Sequence, residues 1–291
     1  MVTIGLPFFN AEKTLADAIR SVFAQTLGNW ELIMVDDGSI DGSSQIAQSV
    51  RDTRVRVIRD SKNLGLSSRL NQIAQLAGGE YLARLDADDL LHPERLARQV
   101  AILDSQPQVD LVGTAMYSLD RENRPRGLHE IRPPMRRPVD VLKTSLLNHA
   151  TITGRTEWFR KNPYDHTFLR SEDRELWVRT HRTLSLVQLP EPLYYCREEQ
   201  SINVKKYLGS CTWDRRIFRQ YGPDLVGKSG TAMLCVRSFL KGNVHRFFSM
   251  VKAETYLIRK RVPALSPEQV VDATKLFERI VRTAVPGLVT G

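Results

Sequence analysis

The sequence predicts an α/β fold, a mainly parallel sheet with flanking helices, followed by a helical C-terminal extension. Three observations carry the prediction. Short β-rich runs recur through the first 110 residues, and a stretch of helical periodicity separates each from the next. The ends of these runs are unusually polar, and in open α/β sheets ligands sit outside the carboxyl ends of the strands. From Lys205 onward the β-rich runs give way to basic sequence of helical pattern.

The first run, Val2–Leu6, precedes Leu15, Ala18, Ile19, Val22 and Phe23, which recur at i, i+3, i+4, i+7 and i+8 and form one apolar stripe able to cover a sheet. Asn10 is the expected N-cap of that helix. Trp30–Asp36, Val55–Arg59 and Glu80–Leu85 complete a βαβαβαβ rhythm. Pro93–Gln106 reads as a helix and Asp110–Leu119 as a further strand. Arg121–Pro138, rich in Pro and Arg, reads as a loop able to fold over a ligand. Between Val139 and Asn203 the pattern predicts a helix at Glu172–Arg182 and short strands near Leu184–Gln188 and Leu193–Cys196. In the final helical region Val270, Phe277, Ile280, Val281 and Ala284 are spaced for one face. The expected organisation is an α/β domain over residues 1–204, with halves 1–110 and 111–204, and a basic helical extension over 205–291.

With 291 residues, 42% hydrophobic and 26% charged, the chain can bury a sizeable core, which excludes wholesale disorder. Three cysteines, odd in number and without tight pair spacing, argue against a disulfide framework or zinc knuckle and for a reduced compartment. No apolar run approaches the ~18–20 residues needed to cross a bilayer. The first residues show neither a basic leader nor a secretory apolar core, so a cytoplasmic location is expected. The net charge of +9 is concentrated at one end: residues 205–291 hold 16 Lys/Arg against 6 Asp/Glu, leaving −1 for residues 1–204.

Asp86-Ala87-Asp88-Asp89 follows an apolar run, and three carboxylates within four residues repel one another unless a cation or solvent offsets them. Mg²⁺ or Mn²⁺ prefers carboxylate oxygens and bridges to phosphate oxygens of a diphosphate. There it would stabilise the charge growing on a departing diphosphate. Taken alone, the segment reads instead as a solvated acidic turn capping the helix after Pro93; its strand context and neighbouring motifs reverse that reading. Asp36-Asp37-Gly38-Ser39-Ile40-Asp41-Gly42-Ser43 offers two glycines for tight turns and acids able to hydrogen-bond a base or ribose. Alone it too reads as a turn with an N-cap, one of its acids being structural.

Pro7-Phe8-Phe9-Asn10-Ala11-Glu12, Ser21-Val22-Phe23-Ala24-Gln25-Thr26, Asp36 to Ser43, Asn63-Leu64-Gly65 and Asp86 to Asp89 resemble, in order and spacing, the family 2 glycosyltransferases with the GT-A fold. The resemblance is dense over residues 1–110 and extends to about 203. It implies a nucleotide-diphosphate-sugar donor, a UDP-sugar first, held with a divalent metal on the Rossmann-like half. By the same resemblance Asp37, with Asp36 nearby, would contact the base. Pro7, Phe8 and Glu12 would line the nucleoside pocket, and Arg69 would approach the donor. Asp86, Ala87 and Asp88 would lie at the ribose and diphosphate, with Asp88 and Asp86 as metal ligands.

Ser171-Glu172-Asp173-Arg174-Glu175-Leu176-Trp177 resembles the family's acidic pair at the start of a helix beneath the acceptor. A hydroxyl attacking the anomeric carbon in line needs its proton removed, and one carboxylate opposite the leaving group can take it. That role falls to Asp173, with Glu172 and His149 on the acceptor. One displacement without an enzyme nucleophile inverts the anomeric configuration through an oxocarbenium-like transition state. Without the first-half motifs, Glu172 and Asp173 would read only as acids favoured by a helix N-terminus. Tyr195, Arg197 and Ser201 lie where relatives carry a loop closing over the diphosphate, and Arg197 is the expected phosphate ligand. Trp177 is expected in the core. Polymerising members carry a Gln-x-x-Arg-Trp element and membrane helices; none of Trp30, Trp158, Trp177 and Trp213 follows an arginine, so transfer of a single sugar is expected.

The function expected from the resemblance is inverting transfer to a hydroxyl of a glycan or lipid-linked precursor in cell-surface polysaccharide biosynthesis. The alternative is a GT-A-like domain that binds nucleotide or glycan without catalysis. A nucleotidyltransferase is disfavoured, because residues 5–15 lack a Gly-rich, basic triphosphate loop. In the extension, Arg215, Arg216, Arg219, Lys241, Arg246, Lys252, Arg259, Lys260 and Arg261 sit among Phe218, Phe239, Phe247, Phe248 and Tyr256. That mixture suits peripheral attachment to an anionic inner-membrane face. The competing expectation is a helical extension packed on the catalytic domain or on a second subunit, as in a homodimer. Nucleic acid is not an expected partner, since the catalytic half has no basic reading helix or aromatic RNA platform.

Overall fold

Seven consecutive apolar-compatible residues make β1 (Val2–Phe8) a strand buried along its whole length, and it lies at the heart of a nine-stranded sheet. The computed structural model describes residues 1–135, 137–197, 204–250 and 262–288, with backbone alone at 204–207 and 247–250. β2 (Trp30–Asp37) and β4 (Tyr81–Arg84) flank β1 in parallel, and β3 (Val55–Asp60) lies parallel beyond β2. The helices between them, α1 (Leu15–Phe23), α2 (Ser43–Ser49) and α3 (Leu66–Leu76), alternate with the strands. The α1 stripe is buried at Leu15, Ala18, Ile19 and Val22, each worth roughly 1.5–3 kcal/mol for a side chain of Val or Leu size. Asn10 does not cap α1. Thr14 precedes the helix, and Asn10 adopts a positive φ of 50° with its Oδ1 accepting the Ile40 N–H at 2.9 Å.

The second half is mixed. α4 (Arg95–Ser105) precedes β6 (Leu111–Leu119), and β8 (Thr153–Arg155) joins the halves by pairing antiparallel with both β4 and β6. The crossing is tight at Gly154, where a Cβ would fall 2.2 Å from Leu111 Cδ2. β9 (Leu186–Cys196) runs parallel to β6 as one strand where the sequence predicts two. Its register shifts around Pro192, and neither Pro190 nor Pro192 has an N–H to donate to the ladder. The short β5 (Leu90–Leu91) pairs with Tyr195 and Tyr194 of β9, which anchors the preceding acidic segment to that strand. β7 (Pro125–His129) pairs antiparallel with β6, and Gly127 bridges to Ala264. The segment expected to be an irregular lid therefore carries a strand held on both sides. α5 (Thr156–Lys161) and α6 (Glu172–Thr180) complete the domain, with Trp158 and Trp177 stacked in its second core, as expected for Trp177.

The C-terminal region is helical, as expected. α7 (Val204–Met250) breaks at Gly227, whose φ of 71° and ψ of 173° lie outside the helical region, and its two limbs fold back on each other. Ser238 Oγ donates to the Cys211 carbonyl at 3.1 Å across that hairpin. Cys211, Ile217 and Phe218 are buried, and Arg174 ties α6 to α7 through Asp214. α8 (Pro267–Val281) starts with a capping box between Ser266 and Gln269. Its Ala273, Phe277 and Ile280 pack with Leu90, Leu119 and Tyr195, and the Tyr195 hydroxyl donates to the Ala273 carbonyl at 3.1 Å. Ala284, expected on this face, is exposed, and Val285 is buried in its place. Cys196, Cys211 and Cys235 form no disulfide. No helix of the described residues is long and apolar enough to cross a membrane. Ser201, Lys252, Tyr256, Arg259, Lys260 and Arg261, and the side chains of Phe247 and Phe248, lie outside the described residues.

Candidate active site

Successive strand residues point to opposite faces, so Asp36 and Asp37 at the end of β2 serve different loops. Asp36 is fully buried; it accepts the Ser39 N–H at 2.8 Å and the Ser44 hydroxyl. This corrects the expectation that it reaches a nucleotide: both oxygens are spent shaping the turn into α2. Gly38 follows with φ +83°, and a Cβ there would stand 3.3 Å from the Asn63 nitrogen, so this loop presses against the β3–α3 loop. Asp37 faces that second loop. Its Oδ1 accepts the Leu64 N–H and Arg69 Nε, and its Oδ2 accepts the Gly65 N–H at 3.0 Å. A carboxylate offers about four acceptor positions, which leaves Asp37 one for a base N–H.

Arg69 is 1% exposed and points inward to Asp37, Asp60, Gln72 and the Lys62 carbonyl. Against expectation it does not approach a donor; it holds Asp37 in place. Pro7 and Phe8 were expected to line the nucleoside pocket. Both are buried, because β1 is a central strand covered on each face. Glu12 is exposed, and its Oε2 accepts the Gly42 N–H at 2.9 Å while its own N–H donates to Asp41, stitching the β1–α1 and β2–α2 loops together.

At the end of β4 the three carboxylates of residues 86–89 diverge. Asp86 accepts two parallel N–H bonds from Arg84, at 2.7 and 3.0 Å. Burial acts to lower the proton affinity of that guanidinium, but the Asp86 charge outweighs it, and Arg84 is held firmly protonated. Asp89 is buried: its Oδ1 accepts the Arg197 N–H at 2.9 Å, and the Tyr194 hydroxyl bonds to its carboxyl. Burial, then Asp88 and Asp86, push Asp89 well above the usual carboxylate range. Asp88 is exposed at the mouth of the cleft, yet its carboxyl is raised by desolvation and then by Asp86. No side-chain donor among the described residues bonds it. Ala87, partly buried, packs on the core.

Of the two metal ligands expected here, Asp88 alone has a carboxylate not already paired. A hard oxygen donor of raised proton affinity, beside further acids, fits Mg²⁺ or Mn²⁺. Arg197 departs from its expected role on the diphosphate. It is 2% exposed, and its three guanidinium nitrogens bond Asn123, the Asp88 carbonyl and Asp17 at 2.7–2.8 Å. It clamps the acidic loop from behind.

The acceptor side converges on the same arginine. Arg84 Nη1 contacts the His149 ring, 2.9 Å from Nε2, and the Tyr164 hydroxyl lies 2.8 Å from the same nitrogen. Trp177 meets the ring edge-on at 5.7 Å. Burial and then the Arg84 charge push His149 well below its usual range, so it is neutral near neutral pH. Glu172 and Asp173 open α6, preceded by Ser171 at φ 57°. One ligand atom from each of His149, Glu172 and Asp173 lies within 4.8 Å of the others. Desolvation raises both acids, and Glu172 is raised further by Asp173; the Arg84 charge opposes the rise at each. A cavity of about 540 Å³, lined by Ser67, His149, Glu172, Asp173 and Arg174, opens over them.

Asp88, His149, Glu172 and Asp173 thus retain surface at the cleft, Asp37 is buried with one acceptor position left, and Asp36, Arg69 and Arg197 turn inward as supports. Sequence reasoning missed Arg84, Tyr164 and Tyr194. Arg84 had a signal, since i and i+2 of a strand share a face and residue 86 was already singled out. Tyr164 had none.

The family model for glycosyl transferase family 2 matches residues 3–168, more than half of the chain. EpsE of Bacillus subtilis (strain 168) is 35% identical over 205 residues, 68% of this chain and 73% of EpsE. The Escherichia coli UDP-Glc:alpha-D-GlcNAc-diphosphoundecaprenol beta-1,3-glucosyltransferase WfgD is 27% identical over 181 residues, 61% of this chain and 68% of WfgD. S. aureus TarS 1–349 in complex with UDP superposes with a TM-score of 0.59 at 18% identity, over 96% of this chain and 80% of that one. The mannosyltransferase PcManGT from Pyrobaculum calidifontis, in complex with GDP-Man and Mn²⁺, gives 0.59 at 14% identity, over 96% and 85%. At such identities the structural likeness speaks to fold alone. The family match and the likeness to EpsE go further: the chain belongs to glycosyl transferase family 2 and is a glycosyltransferase built on the GT-A fold.

Proposed function

We propose that this enzyme moves one sugar from a nucleotide-diphosphate sugar, a UDP-sugar first, to a hydroxyl of a glycan or lipid-linked precursor of a cell-surface polysaccharide, by a single inverting displacement. The observation that carries the reading is the contact chain from Asp86 through Arg84 to His149, which lies against Glu172 and Asp173. In this reading Asp86 lies on the donor side of the buried Arg84 and Asp173, as the base, on the acceptor side. Asp173 takes the proton of the attacking hydroxyl as its oxygen bonds the anomeric carbon, and the nucleoside diphosphate leaves with the electron pair of the broken bond. Desolvation makes Asp173 a stronger base than an ordinary carboxylate. Neutral His149, bonded to Tyr164, orients the acceptor beside it. The UDP of the TarS structure and the GDP-Man and Mn²⁺ of the PcManGT structure support the donor class and the metal.

Asp88 would hold the divalent ion, which when bound neutralises charge on the departing diphosphate. His149, Glu172 and Asp173 are also close enough to hold an ion. The Arg84 guanidinium against the imidazole disfavours a cation there. A screen of UDP-, GDP- and dTDP-sugars with Mn²⁺ or Mg²⁺ by thermal shift tests donor and metal together, because a bound donor raises apparent stability by mass action. Asp88→Asn is expected to abolish the metal-dependent part of that shift. A protein that binds donor but never turns it over under any acceptor condition would instead be the non-catalytic binder.

Peripheral attachment to an anionic inner-leaflet surface is proposed for the extension. Met233, Val236 and Phe239 of α7 are exposed among Lys228, Arg237 and Lys241, and this supports the reading. Co-sedimentation with anionic vesicles at low salt tests it, and absence of binding would dismiss it.

A further inference from the structure

We infer that a furrow along the α7 hairpin seats the phosphate-bearing, apolar carrier of the acceptor, which makes the acceptor an amphiphilic, prenyl-type phosphate- or diphosphate-linked sugar. The inference rests on the transfer reading above and adds a binding site distinct from the donor cleft. A second cavity, of about 560 Å³, lies beside the one over Asp173, and Arg174, Ser210 and Asp214 line both. The wall between them is the Arg174–Asp214 ion pair at 2.6 Å, with Arg174 also donating to the Leu142 carbonyl. That wall is incompletely paired. Arg174 Nε and Asp214 Oδ1 are buried, and among the described residues neither has a hydrogen-bond partner. Buried polar atoms are normally satisfied, so such a pair at the junction of two cavities fits a polar group passing between them.

Beyond the wall the chemistry changes. The furrow has an apolar floor, Phe218, Leu234, Leu240 and Val244, and a cationic rim, Lys143, Arg237 and Lys241. From Leu225 to Ala253 the chain has no acidic residue, while it carries Lys228, Arg237, Lys241, Arg246 and Lys252. An arginine and two lysines suit phosphate oxygens. A water-soluble glycan has no use for the apolar floor, and free phosphate has none either. A bilayer surface needs an exposed face and not a concavity that adjoins the cavity over Asp173. A molecule that is sugar, then phosphate, then hydrocarbon matches the order of the acid pair, the polar wall and the furrow.

The test uses the full-length protein and farnesyl diphosphate, titrated calorimetrically with EDTA present so that no donor-site metal recruits the diphosphate. Wild type is expected to bind it, with inorganic pyrophosphate at least ten-fold weaker. Arg237→Glu/Lys241→Glu is expected to weaken farnesyl diphosphate at least ten-fold, and the milder Leu240→Ser several-fold. UDP with Mn²⁺ should bind both variants within two-fold of wild type, which also shows that they fold. No binding by wild type, equal affinity for pyrophosphate, competition by UDP, or indifference to all three substitutions each overturns the proposal. So does binding of anionic vesicles, but not of monomeric farnesyl diphosphate, through Arg237 and Lys241. Failure of the transfer reading looks different: Asp173→Asn would leave turnover intact while the furrow kept its ligand.

Discussion

Removing one guanidinium tests the electrostatic arrangement of the cleft. Arg84 is 8% exposed and is bidentate to Asp86, whose side chain is 25% exposed. In Arg84→Met the side-chain bulk is largely kept, but Asp86 loses both donors while Asp88 and Asp89 remain beside it. Breaking a buried pair by deleting one partner costs about 3–5 kcal/mol, and the partial exposure of Asp86 places the expected loss near the lower end, about 3 kcal/mol. Much of that loss is the stranded carboxylate. Arg84→Met/Asp86→Asn should therefore be less destabilised than the two single changes added together, by about 1–3 kcal/mol. Urea unfolding followed by tryptophan fluorescence, near neutral pH and without divalent metal, measures all four corners of the cycle. A loss under about 1 kcal/mol for Arg84→Met, or strict additivity in the cycle, would refute the claim that this arginine holds the acidic loop.

Asp173→Asn should lower kcat by about 10²–10⁴-fold in single-turnover assays with little change in UDP affinity. Because Asp173 must be ionised to accept a proton and desolvation raises it above 3.8, activity should be present above its folded pKa and fall as pH drops through it. The Arg84 charge opposes that rise, so any residual activity of Arg84→Met should show its acid limb at higher pH. Gly38→Ala forces an L side chain into φ +83°, at a cost of about 1–2 kcal/mol, and pushes the two nucleotide-side loops apart; a lower Tm with weaker UDP binding is expected. Phe277→Ala should cost about 3 kcal/mol within a single unfolding transition, since α8 shares a core with Leu90 and Tyr195; a separate low-temperature transition would show instead that α8 unfolds on its own.

The alternation of strands and helices was readable because it depends on local period, and every strand of the parallel half begins and ends within about two residues of its expected span. Element ends with unusual backbone were not. Asn10 has the composition of an N-cap, but its positive φ and its bond to Ile40 are set by a loop 30 residues away. The same limit explains Asp36, Arg69 and Arg197. Position at a strand end tells which residues are near the cleft, whereas the direction of a side chain depends on distant partners. Arg197 turns toward Asp17, 180 residues earlier in the chain, and no local pattern encodes that. The docking of α8 on the catalytic domain was only one of the expectations for the same reason: its apolar stripe announces a buried face but not the surface that buries it.

The pairing of charges within the cleft explains how so many acids can gather there and still leave some of them free for chemistry. Asp36 is held by hydrogen bonds from a turn, Asp37 by Arg69, Asp86 by Arg84, and Asp89 by an N–H and a phenol. Each of these acids has a fixed partner, so each can act as scaffold. Asp88 on the donor side and Glu172 with Asp173 on the acceptor side have no such partner, and all three are raised by desolvation. Unpaired acids in those two places suit the two cationic events of the proposed reaction, binding a divalent ion and receiving a proton. Arg84 sits between them and opposes the rise at both. In the proposed reaction its charge would keep Asp173 from being protonated too readily and would keep the carboxylates of the two sides from sharing one ion. A single buried arginine would therefore hold the proposed metal-binding and proton-accepting functions apart over a short distance, which is why its removal should disturb both at once.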